Sequence, residues 1–380
     1  MQRLTVFALL ATIALAVVAD DYESGFLTTP LNRQIARLME SEPTANDEPL
    51  QYGRDVTRFA SAPQFGGYLV GQYSYTDQAG KHGGDGFNAH FIRAYVSGTL
   101  LRDFKYRIQM EFRGTPTLRD YTIEWVHWKE FSVKAGQFKR PFTFDSPLNP
   151  WDIGLGGYAL ATRMLVGYGD YCGEPNVNGR DQGLLLQGNL LPVGTAHRPL
   201  LHYEGGIFNG NGLNNADNNR KKDWIGSLQL MPLSGLRVGI FGWKGNYTRE
   251  GVTVSRNRWA LGATYEKAGW TARAEYIHHT GHRVSDYDST TQTWAGNARA
   301  DGWYALIGVP VTRWFQPFLR YDAYRDGARW GGLKTAYSLC PNFRLHRNLL
   351  FQLQYNHIFD KTSATDRHYN EFWAQAYIRF

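Results

Sequence analysis

Cysteine is nearly absent: Cys172 and Cys340 are the only two in 380 residues. That excludes a disulfide framework and a four-ligand zinc site. Long apolar runs are also missing after Leu4–Ala19, so a bundle of membrane-spanning helices is excluded, in line with a mean hydropathy of −0.44. There is no G-x-S-x-G nucleophile turn and no Walker loop. No basic helix or nucleic-acid motif accompanies the isoelectric point of about 9.2. His278, His279 and His282 look like a metal cluster, but adjacent strand residues point to opposite faces. They are read as loop histidines near a strand end. The chain is therefore expected to be no enzyme, to hold no metal or cofactor, and to bind no nucleic acid.

What is present is aromatic: 23 Tyr, 21 Phe and 12 Trp, with 41 Gly. A chain this polar on average, yet this rich in rings and glycine, suits a large β-structure with two unlike faces. Disorder is excluded, because disordered chains are poor in aromatic residues. Met1-Gln2-Arg3, the uncharged run Leu4–Val18 and small residues before Asp20 read as a secretory signal peptide over 1–19. Residues 20–62 read as a periplasmic extension with a short helix (Leu31, Ile35, Leu38, Met39) and an acidic linker.

From residue 63 to 380 the pattern is period two. Phe104, Tyr106, Ile108, Met110 and Phe112 alternate with Lys105, Arg107, Gln109, Glu111 and Arg113, which gives one apolar and one polar face. Segments near 92–100, 256–265, 270–276 and 351–356 repeat it. Sixteen such strands are expected, starting near 64, 87, 104, 118, 131, 180, 200, 222, 236, 256, 270, 301, 315, 334, 349 and 369. Short connections alternate with long ones, among them 76–86, 141–179, 210–221, 245–255 and 279–299. Ten-residue alternating strands with this rhythm predict an all-β fold, a 16-stranded antiparallel transmembrane β-barrel of the outer membrane. The last strand ends in Phe380, which reads as the assembly signal for the barrel-insertion machinery. Cys172 and Cys340 are expected to be unpaired.

Leu118-Arg119-Asp120-Tyr121-Thr122-Ile123-Glu124, then Gly136-Gln137-Phe138-Lys139-Arg140-Pro141-Phe142, resemble the phosphate-selective porins of the O and P type. Arg180-Asp181-Gln182-Gly183, Tyr203–Ile207 running into Phe208-Asn209-Gly210, Ala274–Ile277 and Phe318–Asp322 continue the resemblance in order over roughly 64–380. It implies a homotrimer in outer-membrane lipid and lipopolysaccharide, an arginine- and lysine-lined anion pathway, and a third external loop (141–179) folded into the lumen.

The strand register itself places twelve basic residues on the polar face: Arg93, Lys105, Arg107, Arg113, Lys134, Arg237, Arg256, Arg258, Arg273, Arg320, Lys334 and Arg379. Six acids share it: Glu111, Asp120, Glu124, Glu204, Glu275 and Asp322. The excess matches most of the net charge of +7. Arginine keeps its charge and offers a fork that fits phosphate oxygens, and rings of Arg or Lys select anions in pores. The expected function is passive, anion-selective diffusion of phosphate-type solutes. A mixed wall with little charge selectivity, as in a general or carbohydrate porin, stays open, with Trp151, Tyr158, Tyr168, Tyr171, Asn209, Asn211 and Trp294 as its loop residues. A purely structural barrel or adhesin is the third class, favoured if loops plug the pore.

Overall fold

The computed structural model describes residues 61–78, 85–194, 197–364 and 367–380. The signal peptide read over 1–19, and all of the 20–62 extension but Ser61 and Ala62, lie outside these residues.

Sixteen strands form one closed barrel. They are β1 (Gln64–Thr76), β2 (Gly86–Leu100), β3 (Phe104–Glu111), β4 (Thr117–Trp125), β5 (Ser132–Lys139), β6 (Arg180–Val193), β7 (Arg198–Phe208) and β8 (Asp223–Leu230). The ring continues with β9 (Leu236–Arg249), β10 (Val252–Lys267), β11 (Trp270–Thr280), β12 (Arg299–Gly308), β13 (Phe315–Asp326), β14 (Leu333–His346), β15 (Leu349–Asp360) and β16 (His368–Arg379). Each strand pairs antiparallel with its chain neighbours. β1 and β16 close the ring from Tyr68↔Arg379 to Thr76↔Glu371. Gly67 and Phe380 exchange two backbone hydrogen bonds, 2.9 and 3.0 Å, at that seam. Closure removes the unpaired strand edges that an open sheet would carry.

The faces are inverted relative to a water-soluble protein. Ile108, Ile123, Ile240, Leu261, Leu319 and Leu353 are exposed, whereas Gln109, Glu111, Arg258, Glu275, Asp322 and Gln354 are buried. A barrel bathed in hydrocarbon has this arrangement, apolar outside and polar within.

One connection differs from expectation. Residues 245–255 are no long loop: β9 and β10 run on and join through Glu250-Gly251, both at positive φ (53° and 79°). Two left-handed residues make a tight hairpin whose twist matches the strands. Tyr247 and Val254 pair in register above the barrel and are buried against Cys172, which stabilises the extension.

The segment 140–179 between β5 and β6 carries one short helix, α1 (Leu160–Leu165). Phe142, Leu155, Ala161, Leu165 and Val166 are wholly buried. They pack with polar-face neighbours such as Leu185, Phe208, Phe241, Trp243 and Tyr304. The core of this molecule is thus built between the segment and the strands. Gly136 shapes its base: at φ +121°, a Cβ would lie 2.0 Å from the Tyr121 carbonyl oxygen, an approach open only to glycine.

Candidate functional site: the charged face of the barrel

Antiparallel pairing sets residues on one face into rungs, and charge follows those rungs. The segment 140–179 is tied to strands on the opposite side of the ring. Glu275 of β11 accepts hydrogen bonds from the Phe144 and Asp145 amides, and Asp322 of β13 accepts one from Leu160 N at 3.0 Å. Asn342 Nδ2 donates to Gly154 O (2.9 Å), Gly156 N to Gln354 Oε1 (2.6 Å), and Arg320 to Gly157 O (2.7 Å). The segment passes close to the strands here: a Cβ on Gly154 would lie 2.4 Å from the Phe318 ring and one on Gly156 2.6 Å from Gln375 Oε1.

Ion pairs fix the other end. Glu174 lies 2.7 Å from Arg140 and 3.0 Å from Arg256, all three fully buried. Asp181 also binds the first guanidinium, at 2.9 Å, and Asp223 the second, at 2.5 Å. Arg258 meets Asp170 at 2.5 Å. Burial disfavours the charge on Asp170 and Glu174, but Arg258 and Arg256 beside the one, and Arg140 and Arg256 beside the other, hold both carboxyls below the usual range. Burial and the Asp170 charge push the Cys172 thiol up, and burial pushes Tyr171 up to about 12. Both cysteines are free and buried.

The twelve basic residues therefore fall into two sets. Arg256, Arg258, Arg273 and Arg320 are nearly fully buried and neutralised, the last two by Asp145 with Glu266 and by Asp322. Arg93 pairs with Glu111, Lys134 with Glu124 and Lys334 with Asp360. Among the described residues, no carboxylate is within ion-pair distance of Lys105, Arg107, Arg113, Arg237 or Arg379. Arg107 instead lies over the Tyr95 ring (3.9 Å) and donates to Gln109 (2.8 Å), while Arg113 donates to the His90 carbonyl.

Three further basic residues lie close to this wall, at positions that simple alternation left out. A bulge between Gln109 and Met110 opposes Asp120 and Leu118, so Arg119 is the extra residue of β4. It is within electrostatic reach of Arg93, Arg180, Glu111 and Arg113, and its Nε has no hydrogen-bond partner. Such a bulge redirects a side chain. Its trace in the sequence is the polar pair Arg119-Asp120 interrupting alternation. Arg180 pairs bidentately with Asp120 at 2.7 and 3.0 Å. Lys139 donates to the Ser146 and Leu148 carbonyls and the Tyr158 hydroxyl. Their signal was weaker, because both stand where strands give way to the long segment.

The remaining candidates are spread apart. His279 accepts a bond from Arg258, His278 stacks toward Trp259 and His282 on Trp294. Trp151, Tyr158 and Tyr171 belong to the segment and are buried, while Trp294 is exposed. Phe372 and Ile378 are exposed with Gln375 and Tyr377 buried between them, so the terminal strand has the alternation expected up to Phe380.

No protein-family model matches the chain, and no curated protein matches it in sequence. Solved structures do. The anion-selective porin from Comamonas acidovorans is similar at a TM-score of 0.64 and 14% identity, over 84% of this chain and all of that one. The outer membrane channel DcaP of Acinetobacter baumannii follows at 0.59 and 12%, over 86% and 99%. The trimer form of OmpT, an outer membrane protein of Vibrio cholerae, is similar at 0.59 and 10%, over 85% and 100%. At such identities the likeness concerns architecture, and the architecture is the sixteen-stranded barrel of outer-membrane porins.

Proposed function

We propose that the protein is an outer-membrane porin that passes small anions by passive diffusion, exported by its signal peptide and assembled as a homotrimer. One observation carries the reading. Arg93, Arg107, Arg113, Arg119, Lys139 and Arg180 gather on β2–β6 and the turn after β3, and Glu111 and Asp120 beside them are each already bound by one arginine. Four cations are left without an ion-paired carboxylate, and three of them, Arg107, Arg119 and Lys139, are half-buried, where charge acts strongly. The segment 140–179 supports the second half. It starts from β5 and β6 and is held by β13 to β15, which stand opposite in a ring of sixteen; a connection makes that contact by crossing the interior. It is read as the third external loop, narrowing the passage against the arginine wall. The trimer and anion selectivity named for two similar structures agree with this reading.

Phosphate is the solute class proposed, since paired guanidinium forks suit its oxygens. The carbohydrate reading is less favoured, because Trp151, Tyr158 and Tyr171 are packed away from any passing solute. The extensive packing of the segment favours one other reading, a barrel closed at rest. Single-channel recording in a planar bilayer tests both. The expected result is an open channel whose reversal potential under a salt gradient has the anion sign, with phosphate reducing chloride current. No conductance, or the cation sign, overturns the proposal.

A further inference from the structure

At the rim where β12 begins, a cavity of about 330 Å³ is lined by Asn297, Ala298, Arg299, Gly327 and Arg329. No carboxylate is among these five. Among the described residues, neither Arg299 nor Arg329 has an ion pair or a side-chain hydrogen bond, and Asn297 Nδ2 is likewise unbonded. Two of the donors converge, and Arg299 lines the same cavity. A Cβ on Gly327 would lie 2.7 Å from Asn297 Nδ2 and 3.2 Å from Arg329 Nε, and glycine at φ +66° leaves that space open. The nearest acids are engaged elsewhere: Asp326 by Arg283 at 2.5 Å, Asp301 by Arg325 at 2.8 and 2.5 Å. Asn297 and Arg329 also border the adjoining cavity, which holds Asp286 and Asp326, whereas Arg299 lines this one alone.

We propose that Arg299, Arg329 and the Asn297 amide form a phosphate site, and that its occupant is the net-anionic, phosphate-bearing head group of a membrane lipid, not a zwitterionic one. The chemistry favours an oxyanion: two guanidinium forks and an amide N–H with nothing to receive them fit phosphate oxygens. The position favours a lipid. Alternation along β12 buries Ala300, Gly302, Tyr304 and Leu306 and leaves Arg299 and Ile307 exposed, with Trp303 half-buried between them. Beside the cavity, the Arg325 guanidinium lies 4.5 Å from the Trp330 ring centre and 5.4 Å from that of Trp303. Tryptophans at the end of an apolar wall mark the level of head groups, so the site and the polar edge of a bilayer coincide. This rests on the barrel's spanning a membrane and not on its ion preference.

The test is tryptophan quenching with the full-length mature barrel in phosphatidylcholine vesicles, doped with brominated phosphatidic acid or brominated phosphatidylcholine. Subtracting the signal of Trp330→Phe isolates Trp330. The expected result is several-fold stronger quenching of Trp330 by the brominated phosphatidic acid. That preference is lost in the Arg299→Gln/Arg329→Gln double variant, which still inserts and is still quenched by the brominated phosphatidylcholine. Equal quenching by the two lipids in the unaltered protein, or a preference that survives in the double variant, overturns the site. If dilute inorganic phosphate, too little to change ionic strength, abolishes the preference, the occupant is a free oxyanion and the lipid assignment falls. Because the readout is lipid contact and not current, a channel without anion preference leaves this result unaffected.

Discussion

Arg93 on β2 faces Glu111 on β3 across one rung of the ladder, with Nε 2.7 Å from Oε2 and both side chains buried. Arg107 of β3 faces Ser97. The same wall thus carries one neutralised arginine and one whose charge is spent on no acid, and the difference predicts which substitutions change ion preference. Coulomb effects are screened over about 8–10 Å at ordinary salt, so a cation counts only if it borders the solute's path and lacks a partner. Arg107→Gln/Arg113→Gln/Arg119→Gln is expected to move the anion-to-cation permeability ratio toward unity with the barrel intact. A ratio unchanged from the unaltered protein sinks the pathway.

Arg258 and Arg320 are expected to act differently, although they lie mid-strand on the same face. Each is bound to an acid, and Arg320 also holds the Gly157 carbonyl. Changing them loosens the segment rather than removing free charge. The sharper form of this prediction is Glu174→Gln, which strips a carboxylate shared by two buried arginines. Breaking a buried pair costs about 3–5 kcal/mol. The barrel, held by its strand ladder, is expected to keep its heat-modifiable mobility while residues 140–179 become open to protease and the conductance rises. Unchanged protease resistance counts against the role given to Glu174.

Acid is expected to act on the same contacts. Asp170 and Glu174 sit below the ordinary carboxylate range because of their arginine neighbours. For a depressed carboxyl, the stabilising contribution is fully present above the unfolded value, about 4, and is lost as pH falls through the lower folded value. Protease protection of the stretch around Asp170 and Glu174 is therefore expected to be constant from neutral pH down to about 4 and to be lost only below that. A transition centred near neutrality contradicts this assignment.

Most of the barrel was legible in the sequence because period two is a local property. Phe104–Glu111 shows it residue by residue, and Arg180, Trp270, Leu349 and the Phe380 terminus all fall where alternation and turn residues put them. The 245–255 stretch was misread because polar, glycine-containing strand and loop look alike when the strand rises clear of the membrane. Charge pairing was the harder part. Arg256 and Glu174 are far apart in the chain, and nothing local to either shows that one neutralises the other. The same holds for the aromatics of the segment, which read as mouth residues and are packed inside. Arg119 was left out of the polar-face set, since alternation alone does not show a bulge and a single extra residue reverses the face of its neighbour.

Gly136 offers a stability test. Its φ of +121° and the 2.0 Å clash of an added Cβ with the Tyr121 carbonyl leave no room for alanine without moving β4 or β5. A strained backbone site costs about 1–3 kcal/mol, before the clash itself is counted. Gly136→Ala is expected to unfold at lower temperature and to fold into vesicles in reduced yield, while Gly71→Ala, with open space around its Cβ position, behaves as the unaltered protein. Equal melting of the two variants removes the close approach as the reason for glycine.

The register of β3 can be read chemically, one side chain at a time. Ile108 is exposed on the apolar face, whereas Arg107 lies over the Tyr95 ring on the polar one. Successive residues of a strand point to opposite faces, so adjacent positions should report opposite solvents. Cys172 and Cys340 are buried and contribute little background labelling. In vesicles, Ile108→Cys is expected to react with a lipid-soluble maleimide and to resist a charged thiosulfonate. Arg107→Cys is expected to do the reverse, and its reaction with the negatively charged reagent should be faster than with a positively charged one. The first comparison tests the register and the membrane, the second the sign of the local field. Reversed labelling sinks the register of β3; correct labelling with equal rates for the two charged reagents leaves the barrel standing and removes the case for an anion-attracting wall.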